Sequence, residues 1–248
     1  MTKLPEILQH LDELLEPRRF RDYGPNGLQV PGTEDVESVV TGVSANLELL
    51  ERARDAGAQL VLVHHGLFWD GLPLALSRPL AGRLRTLLEA DMSLAAYHLP
   101  LDAHPEVGNN ALIAAGLGCD DPRPFADVGI AARFPDDGVA AGDLFARVRD
   151  LTKREPLVFD AGPGRVRTIG IVSGGAAGDL ETAVAEGLDA FLTGEPKEPV
   201  MCTAREGGVH FIAAGHYATE TFGIRRLGEL VADRFGVRHE FVDVPNPI

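Results

Sequence analysis

The stretch LVLVHHGLFW, residues 60–69, decides how this chain is read. Leu60–Val63 is an apolar, β-favouring run, and it delivers His64 and His65, followed by Gly66, at a strand end. Ligands of open α/β sheets gather at the carboxyl ends of strands. Neighbours on a regular strand point to opposite faces. Two adjacent histidines therefore share one ion only if the strand has ended; otherwise they serve two ions, or one ligates while the other orients.

Outward from this point, apolar β-rich runs alternate with helical patterns. Before it stand a strand at Val39–Val43 and a helix at Leu47–Ala56; after it come a helix at Leu80–Ala90 and a strand at Leu94–Tyr97. The second half repeats the order: strand Ile169–Val172, helix Leu180–Gly187, strand Ala190–Leu192, helix Pro199–Glu206, strand Phe211–Ala213. A helix near Thr219–Phe235 and a strand near Val237–Val242 follow. Such alternation predicts βαβ units, mainly parallel strands and helices on the sheet faces.

The two halves resemble each other. TGVSANLELLERARDAGAQLVLVHHG (41–66) runs alongside IGIVSGGAAGDLETAVAEGLDAFLTGE (169–195), and AAYHLPLD alongside AAGHYATE. His98 then matches His216, Asp102 matches Glu220, and His65 falls opposite Glu195. This is an internal duplication, too short for a solenoid. The Asp/Pro-rich segment Asp121–Pro124 is the expected boundary, giving a first α/β lobe over 1–124 and a second over 125–248.

The chain has 248 residues, of which 45% are hydrophobic, enough for a sizeable core, and a formal net charge of −14. An acidic surface repels phosphate backbones and anionic lipid heads, which disfavours nucleic acid and membranes as partners. The cluster Arg18, Arg19, Arg21 reads as a solvated surface. No stretch has the length and apolarity of a membrane span, and the start lacks the pattern of a signal peptide. Two cysteines, Cys119 and Cys202, fit a reducing compartment and read as buried, inert thiols. A cytoplasmic protein is expected.

Three strand ends carry chemistry. Besides His64 and His65, YHLPLDAHPEVGNN (97–110) supplies His98, Asp102 and His104, and GHYATETFGIRRL (215–227) supplies His216 and Glu220. His216 and Glu220 are four apart, on one side of a helix that starts near His216. His104 reads as exposed, and Asn109 or Asn110 as a helix cap. Convergence at equivalent topological positions makes a metal site the preferred reading. Imidazole with carboxylate suits Zn, Mn, Fe, Co or Ni. The Gly-rich VSGGAAGDL (172–180) is read as a tight βα turn rather than a phosphate cradle, since it lacks the P-loop lysine. Glu195 in TGEPKEP either acts as a base beside the ions or holds a ligand histidine, the holding role being preferred. Glu195 and His98 are the candidate catalytic residues.

NGLQV, VHHGLFW, YHLPLDAHPEVGNN, TGE and AAGHYATETFGIRRL resemble the Nif-three-like family, whose members are also named GTP cyclohydrolase I type 2 homologues or dinuclear metal-centre hexameric proteins. The resemblance runs from about Asn26 to about Val242. It implies two intertwined α/β lobes with the metals in the cleft between them, closed by the C-terminal helix. It places two divalent transition-metal ions per chain on His64, His65, Asp102, His216 and Glu220. It further implies a homo-oligomer, a toroidal hexamer, and a metal-dependent hydrolase opening GTP to a dihydroneopterin triphosphate and formate. A nucleotide or other phosphorylated small molecule is then the substrate class. The alternative is a metal carrier or homeostasis factor that uses the same site without catalysis.

Overall fold

Strand formation at the deciding stretch follows from burial. Leu60, Val61, Leu62 and Val63 are all fully buried, and each such side chain contributes roughly 1.5–3 kcal/mol over an exposed one. In the computed structural model of the chain, which describes residues 2–248, this strand runs from Leu60 through His65. It thus extends two residues beyond Val63, and both histidines belong to it.

In chain order, β1 (Thr2–Lys3) and α1 (Leu4–Leu15) lead to β2 (Gly27–Val30), β3 (Asp35–Val36), β4 (Ser38–Ser44), α2 (Leu47–Asp55), β5 (Leu60–His65), α3 (Arg78–Glu89) and β6 (Ser93–Ala96). After α4 (Leu99–Ala103) come α5 (Asn109–Leu117), β7 (Asp120–Phe125), β8 (Gly129–Arg133), β9 (Val139–Ala140), α6 (Ala141–Thr152), β10 (Leu157–Phe159) and β11 (Arg165–Val166). Then follow β12 (Thr168–Ile171), α7 (Leu180–Ala185), β13 (Ala190–Thr193), α8 (Val200–Gly207), β14 (His210–Ala213) and α9 (His216–Thr219). Helix α10 (Thr221–Phe235) and β15 (Arg238–Phe241) complete the order.

These elements form two compact units. One takes the chain up to Leu101 together with Gly223–Val244; the other takes Asp102–Phe222 and Pro245–Ile248. The first holds a five-stranded sheet in the order β15-β4-β5-β6-β2. Its strands β15, β4, β5 and β6 are parallel, and β2 closes one edge antiparallel to β6. Val40, Val61, Val63 and Leu94 pack with Leu49, Leu50 and Ala53 of α2 and Leu87 of α3. Asn46 caps α2 by accepting from the Leu49 amide, and Ser77 caps α3 by accepting from Leu80, which satisfies donors that a helix start leaves unpaired. Helix α1 buries Leu4, Ile7, Leu11 and Leu15, one stripe at helical spacing.

The second unit holds a six-stranded sheet, β10-β14-β13-β12-β8-β7. Its centre, β12, β13 and β14, is parallel, and β10, β8 and β7 add antiparallel edges. Strand alternation divides its side chains between two cores. Ile169, Ile171, Leu192 and Ile212 join one with α5 and α6, while Phe191 and Phe211 join the other with α7 and α8.

The βαβαβ order β4–β6 thus recurs as β12–β14, as the duplication predicts. After its third strand, each half hands a helix and a strand to the other unit: α5 and β7 follow β6 but belong to the second, while most of α10 and β15 follow β14 but belong to the first. This corrects the expected boundary at 124/125. Residues 121–124 are no linker: they lie within β7, paired with β8. Pro122 and Pro124 are tolerated because an edge strand leaves some of its amide positions unpaired. Cys202 is exposed, contrary to expectation, and Cys119 is half-buried; burial pushes the Cys119 thiol up to about 12. Among the described residues, no helix is long and apolar enough to cross a membrane.

Candidate metal centre

In the first unit, His64, His65 and His98 come together. One ring nitrogen from each lies within 4.8 Å of the other two. The His64 and His65 ring centroids are 4.7 Å apart although the residues are neighbours on β5, so at this strand end alternation does not separate the rings. Each imidazole is held through Nδ1. That of His64 donates to the Tyr97 carbonyl at 3.0 Å. That of His65 lies 3.0 Å from Ser44 Oγ. That of His98 lies 2.6 Å from Asp22 Oδ1. A partner at Nδ1 is the arrangement by which outer groups fix a ligand histidine.

Asp22 organises the His98 side. It accepts from Asn26 Nδ2 at 2.8 Å, from the Tyr23 amide at 2.7 Å and from the Leu99 amide at 3.0 Å. Burial alone would raise its carboxyl, but the hydrogen bonds from His98 and Asn26 and the His98 charge outweigh that and hold it at about 2. Asn26 Oδ1 also accepts the His98 amide at 2.8 Å. Here the NGLQV motif acquires a function: Asn26 locks the segment after β6. Gln29 locks the segment after β5, accepting from the Leu67 amide at 2.7 Å. A Cβ on Gly66 would fall 2.2 Å from the Gln29 side-chain amide nitrogen, so any side chain there would displace the Gln29 amide. Trp69 stands edge-on to His98, with ring centroids 5.1 Å apart, and to His65 at 5.8 Å.

In the second unit, His216, Glu220, Glu195 and Asp102 are arranged around the turn after β12. Helix α9 is one turn long, and Glu220 caps it. This brings His216 Nε2 to 3.1 Å from Glu220 Oε1. Nδ1 of the same ring bonds Glu195 Oε1, so Glu195 sits as a holder of His216. Burial would lower the His216 pKa, but the two carboxylates raise it to about 9. Gly174 (φ +66°) passes beneath the pair, and a Cβ there would lie 2.3 Å from Glu220 Oε1 and 3.2 Å from His216 Nε2. The neighbouring Ser173 donates Oγ–H to Asp102 Oδ1 at 2.9 Å, and Asn109 Nδ2 donates to the same oxygen at 2.8 Å.

Neither asparagine caps α5 with its side chain; the N-cap is Gly108. Asn109 fixes Asp102, and Asn110 ties the Ser173 amide to the Asp102 and Val128 carbonyls. His104 is partly buried; its Nδ1 accepts the amides of Glu106 and Val107. The turn in VSGGAAGDL serves the His216–Glu220 pair through Gly174.

The donor sets fit transition-metal ions. Fixed imidazoles and carboxylates are their usual protein ligands, and outer hydrogen bonds set the tautomers. Sequence reading missed Asp22, Ser44, Trp69 and Ser173. The signal for Asp22 lies in its neighbourhood, DYGPNGLQV, where Asn and Gly crowd beside an acid.

The Duf34/NIF3 (NGG1p interacting factor 3) family profile matches residues 2–247. A Pseudomonas aeruginosa protein named GTP cyclohydrolase 1 type 2 homolog is 44% identical, over 98% of this chain and 98% of its own. An Escherichia coli protein of the same name is 42% identical over 99% of each. A crystal structure from Thermus thermophilus superposes with a TM-score of 0.93 at 39% identity, covering 100% of both chains. With profile, sequence and fold all matched along essentially its full length, the chain belongs to the Duf34/NIF3 family.

Proposed function

We propose that this chain binds two divalent transition-metal ions through His64, His65, Asp102, His216 and Glu220 and uses them to hydrolyse a nucleotide or related phosphorylated small molecule. The observation that carries this reading is the fixing of the ligand side chains: His64 by the Tyr97 carbonyl, His65 beside Ser44, His216 by Glu195, and Asp102 by Asn109 and Ser173. Rings and carboxylates held in this way have already given up their orientational freedom before an ion arrives. Bound ions would supply Lewis acidity and lower the pKa of coordinated water. The chain's own residues do the positioning. Glu195 keeps the His216 ring turned so that Nε2 stands beside Glu220. Asn109 and Ser173 converge on one oxygen of Asp102 and fix the plane of its carboxylate.

The relatives' name points to GTP as the first substrate to test, with formate as the product to follow. By the same resemblance we propose a toroidal homohexamer, which light scattering tests. For the activity, purified protein is loaded separately with Mn, Zn, Fe or Co and compared with a His216→Ala/Glu220→Ala double variant. The expected result is metal-dependent formate release that the double variant loses. Two bound ions without release from GTP would overturn the GTP assignment, and fast exchange of those ions would turn the reading toward metal carriage.

A further inference from the structure

We propose that Tyr23 and Trp69 form an aromatic clamp that holds a planar heteroaromatic ring, the base of a nucleotide, beside the imidazoles of the first unit. This deepens the function proposed above by assigning residues to the base, and it rests on that reading for the site the clamp adjoins.

Three observations carry it, all within the first unit. The first is where the rings stand. Both meet the same imidazole: the ring centroid of Trp69 is 5.1 Å from that of His98, and that of Tyr23 is 6.2 Å from it. Trp69 lies just past β5 and His98 just past β6, at the strand ends where open α/β sheets take their ligands. The second is what the rings leave unused. Their planes lie at 88° and 60° to the His98 ring, so neither is stacked flat upon it. Among the described residues, Tyr23, 65% exposed, is the one aromatic side chain left largely in solvent. Folding gains little from a ring left in water. The third is that both rings are held in advance. The Asp70 amide donates to the Tyr23 carbonyl at 2.6 Å, and a Cβ on Gly24 would fall 2.3 Å from the Phe68 carbonyl oxygen, so the two segments touch through their backbones. The Tyr23 amide donates to Asp22 Oδ1 at 2.7 Å, and Trp69 Nε1 donates to the Gly66 carbonyl at 3.2 Å. Rings fixed before a ligand arrives spare it the cost of ordering them.

The chemistry selects the ligand. Aromatic side chains take planar rings by stacking, and every nucleobase presents such a face. A net charge of −14 works against gripping a nucleotide by its phosphates alone, whereas stacking needs no positive charge. A sugar phosphate without a base gains nothing from the clamp.

Trp69 is the single tryptophan of the chain, so intrinsic fluorescence reads the clamp directly. The test titrates guanosine 5′-monophosphate and ribose 5-phosphate into the full chain, both loaded with Zn and ion-free. The two probes share sugar and phosphate and differ by the base. The nucleotide is expected to quench Trp69 and to bind at least about fivefold more tightly than the sugar phosphate, the lower end of what stacking on one aromatic contributes. Tyr23→Ala should remove most of that advantage and leave ribose 5-phosphate binding unchanged, while Tyr23→Phe, which keeps the ring, should retain it. The comparison of probes in the unaltered chain needs no variant, so it stands even if Tyr23→Ala misfolds. Equal affinity for the two probes, absence of quenching, or an advantage that survives Tyr23→Ala in folded protein would overturn the clamp even with two ions bound. Quenching by the nucleotide in a chain that takes up no ion would instead sink the function proposed above and leave the clamp standing.

Discussion

The ligand groups of the two units are built on the same plan and differ in charge. Each stands where parallel strands end, and each has a histidine held through Nδ1 by a carboxylate: His98 by Asp22, and His216 by Glu195. Around that shared element the first unit adds two further imidazoles, His64 and His65, whereas the second adds the carboxyl groups of Glu220 and Asp102, both buried. Duplication preserved the scaffold and the orienting device, while the donors diverged. Fold and ligand chemistry are thus separable: the sheet fixes where donors stand, and single side chains decide what they bind.

The largest effect that would break the comparison comes from Gly174. Placing alanine at φ +66° costs about 1–2 kcal/mol in backbone strain, and its Cβ would enter the space of Glu220 Oε1. On the proposed function, Gly174→Ala is expected to weaken ion binding at His216 and Glu220 and lower Tm, with fewer than two ions per chain by elemental analysis. Two retained ions would show that Glu220 can move aside at little cost. The next effect isolates the orienting device. Asp22→Ala removes the acceptor of the hydrogen bonds from His98, Asn26, Tyr23 and Leu99; with each such bond worth about 0.5–1.5 kcal/mol, it should lower Tm, which calorimetry measures.

The difference in charge should also appear as a difference in pH response. In ion-free protein, His216 has a pKa raised to about 9, because two carboxylates outweigh burial. Its contribution to stability is complete below about 6.5 and is lost as pH rises through about 9. Urea midpoints of ion-free protein should fall across that window, and those of His216→Ala should fall less. An equal slope in both would place the titration elsewhere. The smallest effect concerns the second unit's supports: Ser173→Ala removes one hydrogen bond to Asp102, worth about 0.5–1.5 kcal/mol, and should lower Tm slightly without changing ion stoichiometry.

Much of this was legible in the sequence because the parallel centre is written in periodicity. Val39–Val43 and Ile169–Val172 lie within a residue of the strands that form, β4 and β12. The antiparallel additions were not legible. Strand β7 reads DDPRPF, five of whose six residues are exposed, so neither hydrophobicity nor alternation marks it. Helix α6 was readable and passed over: Leu144 and Val148 repeat at helical spacing and are fully buried. The exchange of α5–β7 and α10–β15 left no local trace, since a crossover changes which surface a segment meets without changing its pattern. The supports of the site were hidden for a related reason. Asp22 lies 76 residues from His98, and only the folded sheet brings them into contact.

The exchange also sets an order of events during synthesis. Strand β15 pairs with β4 from Ser38 to Thr41, yet it is made after every element of the second unit. A growing chain therefore carries a first sheet whose β4 edge has no partner until Arg238–Phe241 emerges. Exposed strand edges are templates for wrong pairing, and domains made early ordinarily fold first. This protein departs from that order: its N-terminal sheet is made early and completed last.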